Sequence, residues 1–124
     1  MPKIDLTEPA VLYHSEEDAC WIAHGLRTDQ IGTGDRLVTA LADLMRAVRA
    51  LCEMAEKDES IAYLRPAPPE IFERFRNAKP LPKELSEISH KMAFGEWPSY
   101  LLADIRPEDE NGSFTTEVVE AGCV

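Results

Sequence analysis

The N-terminal part of the chain contains two short apolar runs separated by a polar turn. Residues 10 to 14 and 19 to 26 are rich in strand-forming side chains, and residues 15 to 18 between them are Ser, Glu, Glu and Asp. Two such runs around a short polar segment predict a β-hairpin. The pattern leaves the register open, because a shift of one residue would exchange the faces that carry Trp21 and Ile22.

A third run and a glycine-bounded turn precede the longest periodic segment. Residues 29 to 33 predict a third strand, Gly34 offers the backbone freedom for a tight turn, and Asp35 is a candidate helix N-cap. Apolar residues then recur every three or four positions, which predicts an amphipathic helix. The apolar side comprises Leu37, Leu41, Leu44, Met45, Val48, Leu51, Cys52 and Ala55. The polar side comprises Thr39, Asp43, Arg46, Arg49, Glu53 and Glu56.

A proline-rich segment follows the predicted core. Residues 60 to 64 predict a fourth strand, and three prolines among residues 65 to 69 prevent a central strand from continuing. Beyond them, the pattern predicts short helices at residues 70 to 78 and 83 to 92. Residues 114 to 119 are consistent either with a terminal strand or with a tail that is disordered or docked on a partner.

These elements together predict the fold class and the division of the chain. We expect an α+β fold with a small, mainly antiparallel sheet of three to four strands and one long packed helix. Residues 1 to 64 are predicted to form a β-β-β-α-β core. Residues 65 to 124 are predicted to form a short helical, proline-punctuated C-terminal extension with an acidic tail.

The chain is strongly acidic. Its formal net charge is −10 over 124 residues, and the residues after Pro107 include five acids and no Lys or Arg. Since nucleic-acid affinity depends on phosphate neutralisation by Lys and Arg, direct nucleic-acid binding is not expected. An acidic surface suits a basic protein partner through electrostatic steering, and solubility alone is the other explanation.

Signals for membrane insertion and for disulfide bonds are weak. No apolar segment has the length of a membrane span, and the first ten residues lack the apolar core of a signal peptide. Three cysteines, Cys20, Cys52 and Cys123, without a Cys-x-x-Cys spacing argue against a disulfide framework and a structural zinc site. We therefore expect a cytoplasmic protein with reduced thiols, no cofactor and no membrane partner.

The strand, turn and helix signals form one recognisable series. Residues 21 to 24 are Trp-Ile-Ala-His, and residues 31 to 35 are Ile-Gly-Thr-Gly-Asp, directly ahead of the helix. This series resembles the HicB family of antitoxins and their orphan relatives, over residues 9 to 64 of this chain. The motif residues that carry the resemblance are Trp21, His24, Gly34, Asp35, Leu41 and Leu44.

The resemblance implies a partial ribonuclease-H-like core. The residues of the predicted strands do not support nuclease activity in such a core. A nuclease of that kind needs several carboxylates around metal ions, whereas the predicted strand interiors contain none. The acids Glu16, Glu17 and Asp18 cluster in a turn, where solvated charges are usual. We therefore assign no catalytic residues and do not expect an enzyme.

Two histidines and a cysteine on the predicted hairpin are candidates for a chemical site. His14, His24 and Cys20 supply no fourth ligand for a tetrahedral zinc ion, so no metal site is predicted. For His24, the resemblance implies a strand end beside Gly25 and a hydrogen bond to the backbone. An enzyme that uses Cys20, His24 and an acid ranks last among the hypotheses.

The resemblance also implies a function. HicB-like antitoxins pair with and block small basic RNA-cleaving toxins of the HicA type, and residues 65 to 124 do not match the operator-binding domains common in that family. We therefore expect an antitoxin-like protein-binding module that forms a homo-oligomer. The alternative is an orphan oligomeric scaffold or small-ligand sensor with the same fold and no toxin partner.

Overall fold

A computed structural model describes residues 7 to 79 and 102 to 107. These residues contain four strands and two helices. In chain order they are β1 (Glu8–Ser15), β2 (Cys20–Gly25), β3 (Ile31–Gly34), α1 (Leu37–Lys57), α2 (Pro69–Asn77) and β4 (Leu102–Pro107). The strands form one sheet in the order β3-β2-β1-β4. The predicted α+β class is confirmed, with three antiparallel strands and one long helix packed against them.

The β1–β2 hairpin has the predicted position, and its register settles which side chains face the long helix. Leu12 pairs with Ala23, and His14 pairs with Trp21. Leu12, Trp21 and Ala23 are buried in the same cluster as the apolar side of α1. Because side chains alternate along a strand, Ile22 lies on the other face of the sheet.

Helix α1 packs directly on β3, and two glycines make that contact close. A Cβ atom at Gly32 would lie 2.5 Å from the Ala40 carbonyl oxygen and 2.8 Å from the Leu44 Cα. At Gly34 it would lie 2.7 Å from the Ala40 nitrogen. Gly34 does not adopt a left-handed φ, so the expected need for unusual backbone angles is wrong. Glycine is required there because the helix backbone leaves no room for a side chain.

The start of α1 lies one residue later than predicted. Asp35 is exposed and lies outside the helix, which begins at Leu37 with Arg36 as its N-cap. Thr39 Oγ1 accepts the Arg36 backbone N–H at 3.1 Å and donates to the Arg36 carbonyl oxygen at 2.8 Å. The predicted Asp35 cap is therefore wrong, because Arg36, held by the Thr39 hydroxyl, occupies the N-cap position.

The predicted apolar side of α1 forms the core, as its periodicity indicates. Leu37, Leu41, Leu44, Met45, Val48, Cys52 and Ala55 are buried, and Leu51 is half-buried. Val38 and Ala42 are also fully buried and widen this side beyond the predicted stripe. On the polar side, Arg46 and Glu53 are exposed.

The predicted strand at residues 60 to 64 is wrong, because this segment begins with a turn. Asp58 Oδ1 accepts the Ser60 backbone N–H at 3.0 Å, and the Asp58 carbonyl accepts the Ile61 N–H at 3.1 Å. The fourth strand is instead β4, which pairs with β1 in the parallel sense and places Arg106 beside Val11. A strand from the predicted extension thus completes the sheet.

Helix α2 covers part of the sheet face opposite α1. Ile71 packs with Val11, Leu26 and Ala67. The helix begins one residue before the predicted range of 70 to 78 and also ends one residue before it. The Arg74 guanidinium lies 4.3 Å from the centre of the Tyr13 ring. The predicted helix at residues 83 to 92 and the strand at 114 to 119 lie outside the described residues.

Neither helix in the described part of the chain combines the length and apolar character needed to cross a membrane.

Candidate functional site

A buried carboxylate organises the loop between β2 and β3. Glu8 has no exposed surface, and its Oε1 accepts the Arg27 backbone N–H at 2.6 Å. Its Oε2 accepts the Thr28 backbone N–H at 2.8 Å and also the Thr28 hydroxyl. A buried carboxylate is costly unless hydrogen bonds satisfy it, and three donors do so here. Glu8 therefore fixes the loop that carries residues 26 to 29.

Gly25 makes room for this carboxylate. A Cβ atom at Gly25 would lie 2.8 Å from both Glu8 Cδ and Glu8 Oε2. The Gly25 N–H donates to the Gln30 carbonyl at 2.9 Å, which closes the loop at its base. The glycine that follows the Trp-Ile-Ala-His series thus has a steric role at the end of β2.

The same loop joins β1 to the proline-rich segment. The Leu26 N–H donates to the Pro9 carbonyl at 2.9 Å, and the Leu26 carbonyl accepts the Ala67 N–H at 2.9 Å. The Arg27 carbonyl accepts the Arg65 N–H at 2.8 Å. The loop is therefore a junction at which β1, β2 and the segment leading to α2 are held together.

His24 forms a close pair with an acid from this junction. Its Nε2 lies 2.6 Å from Asp29 Oδ1, and the His24 side chain is 6% exposed. Asp29 has a φ of 57°, in the left-handed region that Asp tolerates better than most residues. The expected backbone hydrogen bond of His24 is therefore wrong: its observed partner is a carboxylate.

The His24–Asp29 pair is poorly placed for acid–base chemistry. The second ring nitrogen, Nδ1, is buried and has no hydrogen-bond partner among the described residues. A general base must reach its substrate's proton directly or through one water. Cys20 lies at the other end of β2, roughly 13 Å away at the usual rise of a strand. The structure does not bring Cys20 and His24 together.

Cys52 is likewise unsuited to nucleophilic chemistry. Burial in the α1 core raises the pKa of its thiol to about 11, and the nearby carboxylates of Glu56, Glu8 and Glu53 add to the shift. Since the thiolate is the nucleophilic form, this thiol is inert at neutral pH. Its raised pKa also implies that its contribution to stability is complete below pH 9 and is lost as pH rises through about 11.

Metal ligands do not converge in the part of the chain that the structure describes. No group of three or more His, Cys, Asp or Glu residues is arranged to hold a metal ion there. Glu16, Glu17 and Asp18 are exposed in the hairpin turn. His14 is exposed and meets the Trp21 ring edge-on, with the ring centres 5.5 Å apart.

The predicted motif residues occupy different environments. Trp21, Leu41 and Leu44 are buried in the core between the sheet and α1. His24 lies on the other face of the sheet, at the loop junction. Gly34 lies against α1, and Asp35 is exposed. Sequence reasoning missed Glu8, whose partners lie 19 and 20 residues away. Its only local signal is an acid at the start of an apolar run.

Replacing Glu8 with glutamine is expected to destabilise the protein. The glutamine NH2 group would face either the Arg27 N–H or the Thr28 N–H, so one buried donor would lose its acceptor, at a cost of about 1–3 kcal/mol. Urea titration measures the loss. Glu16→Gln removes the same charge from an exposed turn and is the control. Equal midpoints for the two variants would contradict the role given to Glu8.

Comparisons of the chain with protein-family models, with curated proteins and with solved structures gave no match.

Proposed function

We propose that this chain is an antitoxin-like protein-binding module that neutralises a small basic RNA-cleaving toxin of the HicA type. It would act in the cytoplasm, as a homo-oligomer, without a cofactor and without direct contact to nucleic acid. The proposal combines the HicB resemblance with the geometry of the described residues. Fold alone does not imply function, so the arrangement of particular residues carries the argument.

The observation that carries the proposal is the close packing of α1 on the strands that contain most of the HicB-like series. Gly32 and Gly34 lie against the backbone of α1, and Leu41 and Leu44 from α1 are buried with Trp21. Four of the six motif residues therefore take part in the contact between the strands and the helix: Trp21, Gly34, Leu41 and Leu44. This supports a shared core, and through it the function that the resemblance implies.

The chemistry of the described residues favours binding over catalysis. The thiol of Cys52 has a raised pKa, and the His24 ring nitrogen that lacks a partner among the described residues is buried. The acids in the hairpin turn are exposed and form no metal cluster with other described residues. Together with the net charge of −10, these features suit a surface that attracts a basic protein.

The proposal predicts salt-dependent association with a basic partner. Opposite charge accelerates encounter, and screening shortens the reach of that attraction from about 10 Å at 0.1 M salt to about 3 Å at 1 M. Stopped-flow association with a purified HicA-type ribonuclease should therefore slow markedly as salt rises. Deleting the residues from Glu108 onward should lower the rate at low salt, because five acids are removed.

A variant with the five tail acids changed to their amides is the matched control for tail length. Its association rate at low salt should fall as much as that of the deletion if the charge of the tail accelerates association. If no basic ribonuclease binds at any salt concentration, the orphan scaffold or small-ligand sensor replaces the antitoxin-like function.

A further inference from the structure

One outer strand of the sheet presents main-chain groups at its open side. β3 pairs only with β2 among the described residues, and Ala23 pairs with Gly32. The Gly25 N–H donates to the Gln30 carbonyl, which fixes the phase of the ladder. Because hydrogen-bonded pairs alternate in an antiparallel ladder, the N–H and C=O groups of Ile31 and Thr33 point away from β2.

An acid from α1 occupies part of this open side. Asp43 Oδ2 accepts the Thr33 backbone N–H at 3.0 Å. The Asp43 side chain is 46% exposed, and its other oxygen lies 4.0 Å from Arg46 Nη2. Asp43 therefore covers the position at which the carbonyl of an added strand would bond. We call the outward groups of Ile31 and Thr33, together with the Asp43 carboxylate, the β3 edge.

The negative charge of Asp43 determines which kind of strand could pair with the β3 edge. Charged residues at sheet edges are a common protection against unwanted strand pairing. A second copy pairing through β3 would bring a second Asp43 carboxylate to the same place, and an acidic strand would meet the same repulsion. A strand with Lys or Arg would instead form an ion pair with Asp43 and release the Thr33 N–H.

An exposed apolar side chain adds a contact beside the charge. Ile31 is 51% exposed at the start of β3, and Asp35 is exposed just after its end. Alternate side chains of a strand point to opposite faces. An extended segment with alternating apolar and basic residues could therefore contact Ile31 with its apolar side chains and Asp43 with its basic ones. Strand addition of this kind obtains affinity from main-chain hydrogen bonds and specificity from side chains.

We propose that the β3 edge binds an extended basic segment of the protein partner as an added strand, with Asp43 selecting for positive charge. The inference rests on the proposed function, because it specifies how a basic partner would be recognised. On binding, Asp43 leaves the Thr33 N–H and pairs with a Lys or Arg of the partner. The Thr33 N–H then donates to a main-chain carbonyl of the partner, and self-association uses another surface.

The test uses the full chain and two capped, fluorescent peptides, one alternating valine with lysine and one alternating valine with glutamate. Fluorescence anisotropy should show tighter binding of the lysine peptide. Asp43→Asn should weaken that binding about fivefold, the size expected for a partly exposed ion pair. Glu53→Gln removes one charge from an exposed position of the same helix and should leave the binding unchanged.

Two further measurements report on the main chain. The amide signals of Ile31 and Thr33 should shift in the nitrogen–proton NMR spectrum on addition of the lysine peptide. A lysine peptide methylated at alternate backbone nitrogens should lose binding, because it cannot form the ladder. Equal affinity for the two peptides, equal effects of Asp43→Asn and Glu53→Gln, or unshifted Ile31 and Thr33 signals would each overturn the inference.

The outcomes also separate this inference from the proposed function. If a HicA-type ribonuclease binds the wild type and Asp43→Asn equally well, the β3 edge is not its docking site, and the antitoxin-like function stands. If the lysine peptide binds as described and no such ribonuclease does, the edge inference stands and the antitoxin-like function falls. Light scattering that shows dimers abolished by Ile31→Lys would make a second copy the occupant and overturn the inference.

Discussion

Replacing Leu44 with alanine should cost about 2–5 kcal/mol of the free energy of unfolding. Leu44 is fully buried in the cluster between α1 and the sheet, together with Leu12 and Trp21. Truncation removes buried methyl groups and leaves a cavity that the surrounding backbone fills only partly. Urea titration followed by circular dichroism measures the change.

Arg46→Ala is the control for the helix phase. Arg46 lies two residues further along the same helix, with an exposed side chain 4.0 Å from Asp43. Surface substitutions of this kind change stability by under about 0.5 kcal/mol. Equal losses for Leu44→Ala and Arg46→Ala would mean that the side of α1 facing the sheet is assigned incorrectly.

Replacing Gly32 with alanine should cost about 3 kcal/mol or more, although only one methyl group is added. The new Cβ would lie 2.5 Å from the Ala40 carbonyl oxygen and 2.8 Å from the Leu44 Cα. Both are backbone atoms of α1, so a flexible side chain cannot turn aside to relieve the contact. Overpacking typically costs about 1–3 kcal/mol, and a displaced helix places this variant at the upper end.

Thr33→Ala tests whether the Gly32 effect is steric. Thr33 is the next residue of β3, and its side chain is exposed. We expect it to cost under about 1 kcal/mol, the span of strand propensity. A Gly32→Ala variant as stable as Thr33→Ala would contradict the close packing of α1 on β3.

Local periodicity predicted the hairpin and the phase of the long helix. The turn at residues 15 to 18 is visible as a polar interruption, and the α1 stripe repeats over several turns. The first residue of the helix is harder to predict from the sequence. Asp35 is a favourable N-cap residue type, but the Thr39 hydroxyl bonds to Arg36, which is the N-cap in the structure. The sequence indicates a conformational need for Gly34, whereas the structure shows a steric one.

The fourth strand could not be predicted from the sequence pattern, because it pairs with a strand far away in the chain. β4 pairs with β1 across more than 80 residues, and no local pattern specifies a parallel partner at that separation. The apolar residues 61 to 64 resemble a strand, yet the turn at Asp58 precedes them and β4 occupies the outer side of β1. Tertiary context therefore overrides the strand propensity of this segment.

The candidate site was missed for the same reason. Glu8 is bonded to Arg27 and Thr28, and the left-handed conformation of Asp29 is what places its carboxylate beside His24. Asp43 was predicted on the polar side of α1, and its contact with Thr33 appears only when the helix is placed on β3. Each contact depends on how two elements pack, which residue order alone does not specify.

Inhibition of RNA cleavage tests the antitoxin-like function most directly. A purified HicA-type ribonuclease would be incubated with a labelled RNA while this protein is added in increasing amounts. We expect cleavage to fall to background near equal molar amounts, and the protein alone to leave the RNA intact with added magnesium or manganese. Undiminished cleavage at a large excess of this protein, or cleavage by the protein alone, would contradict the antitoxin-like function.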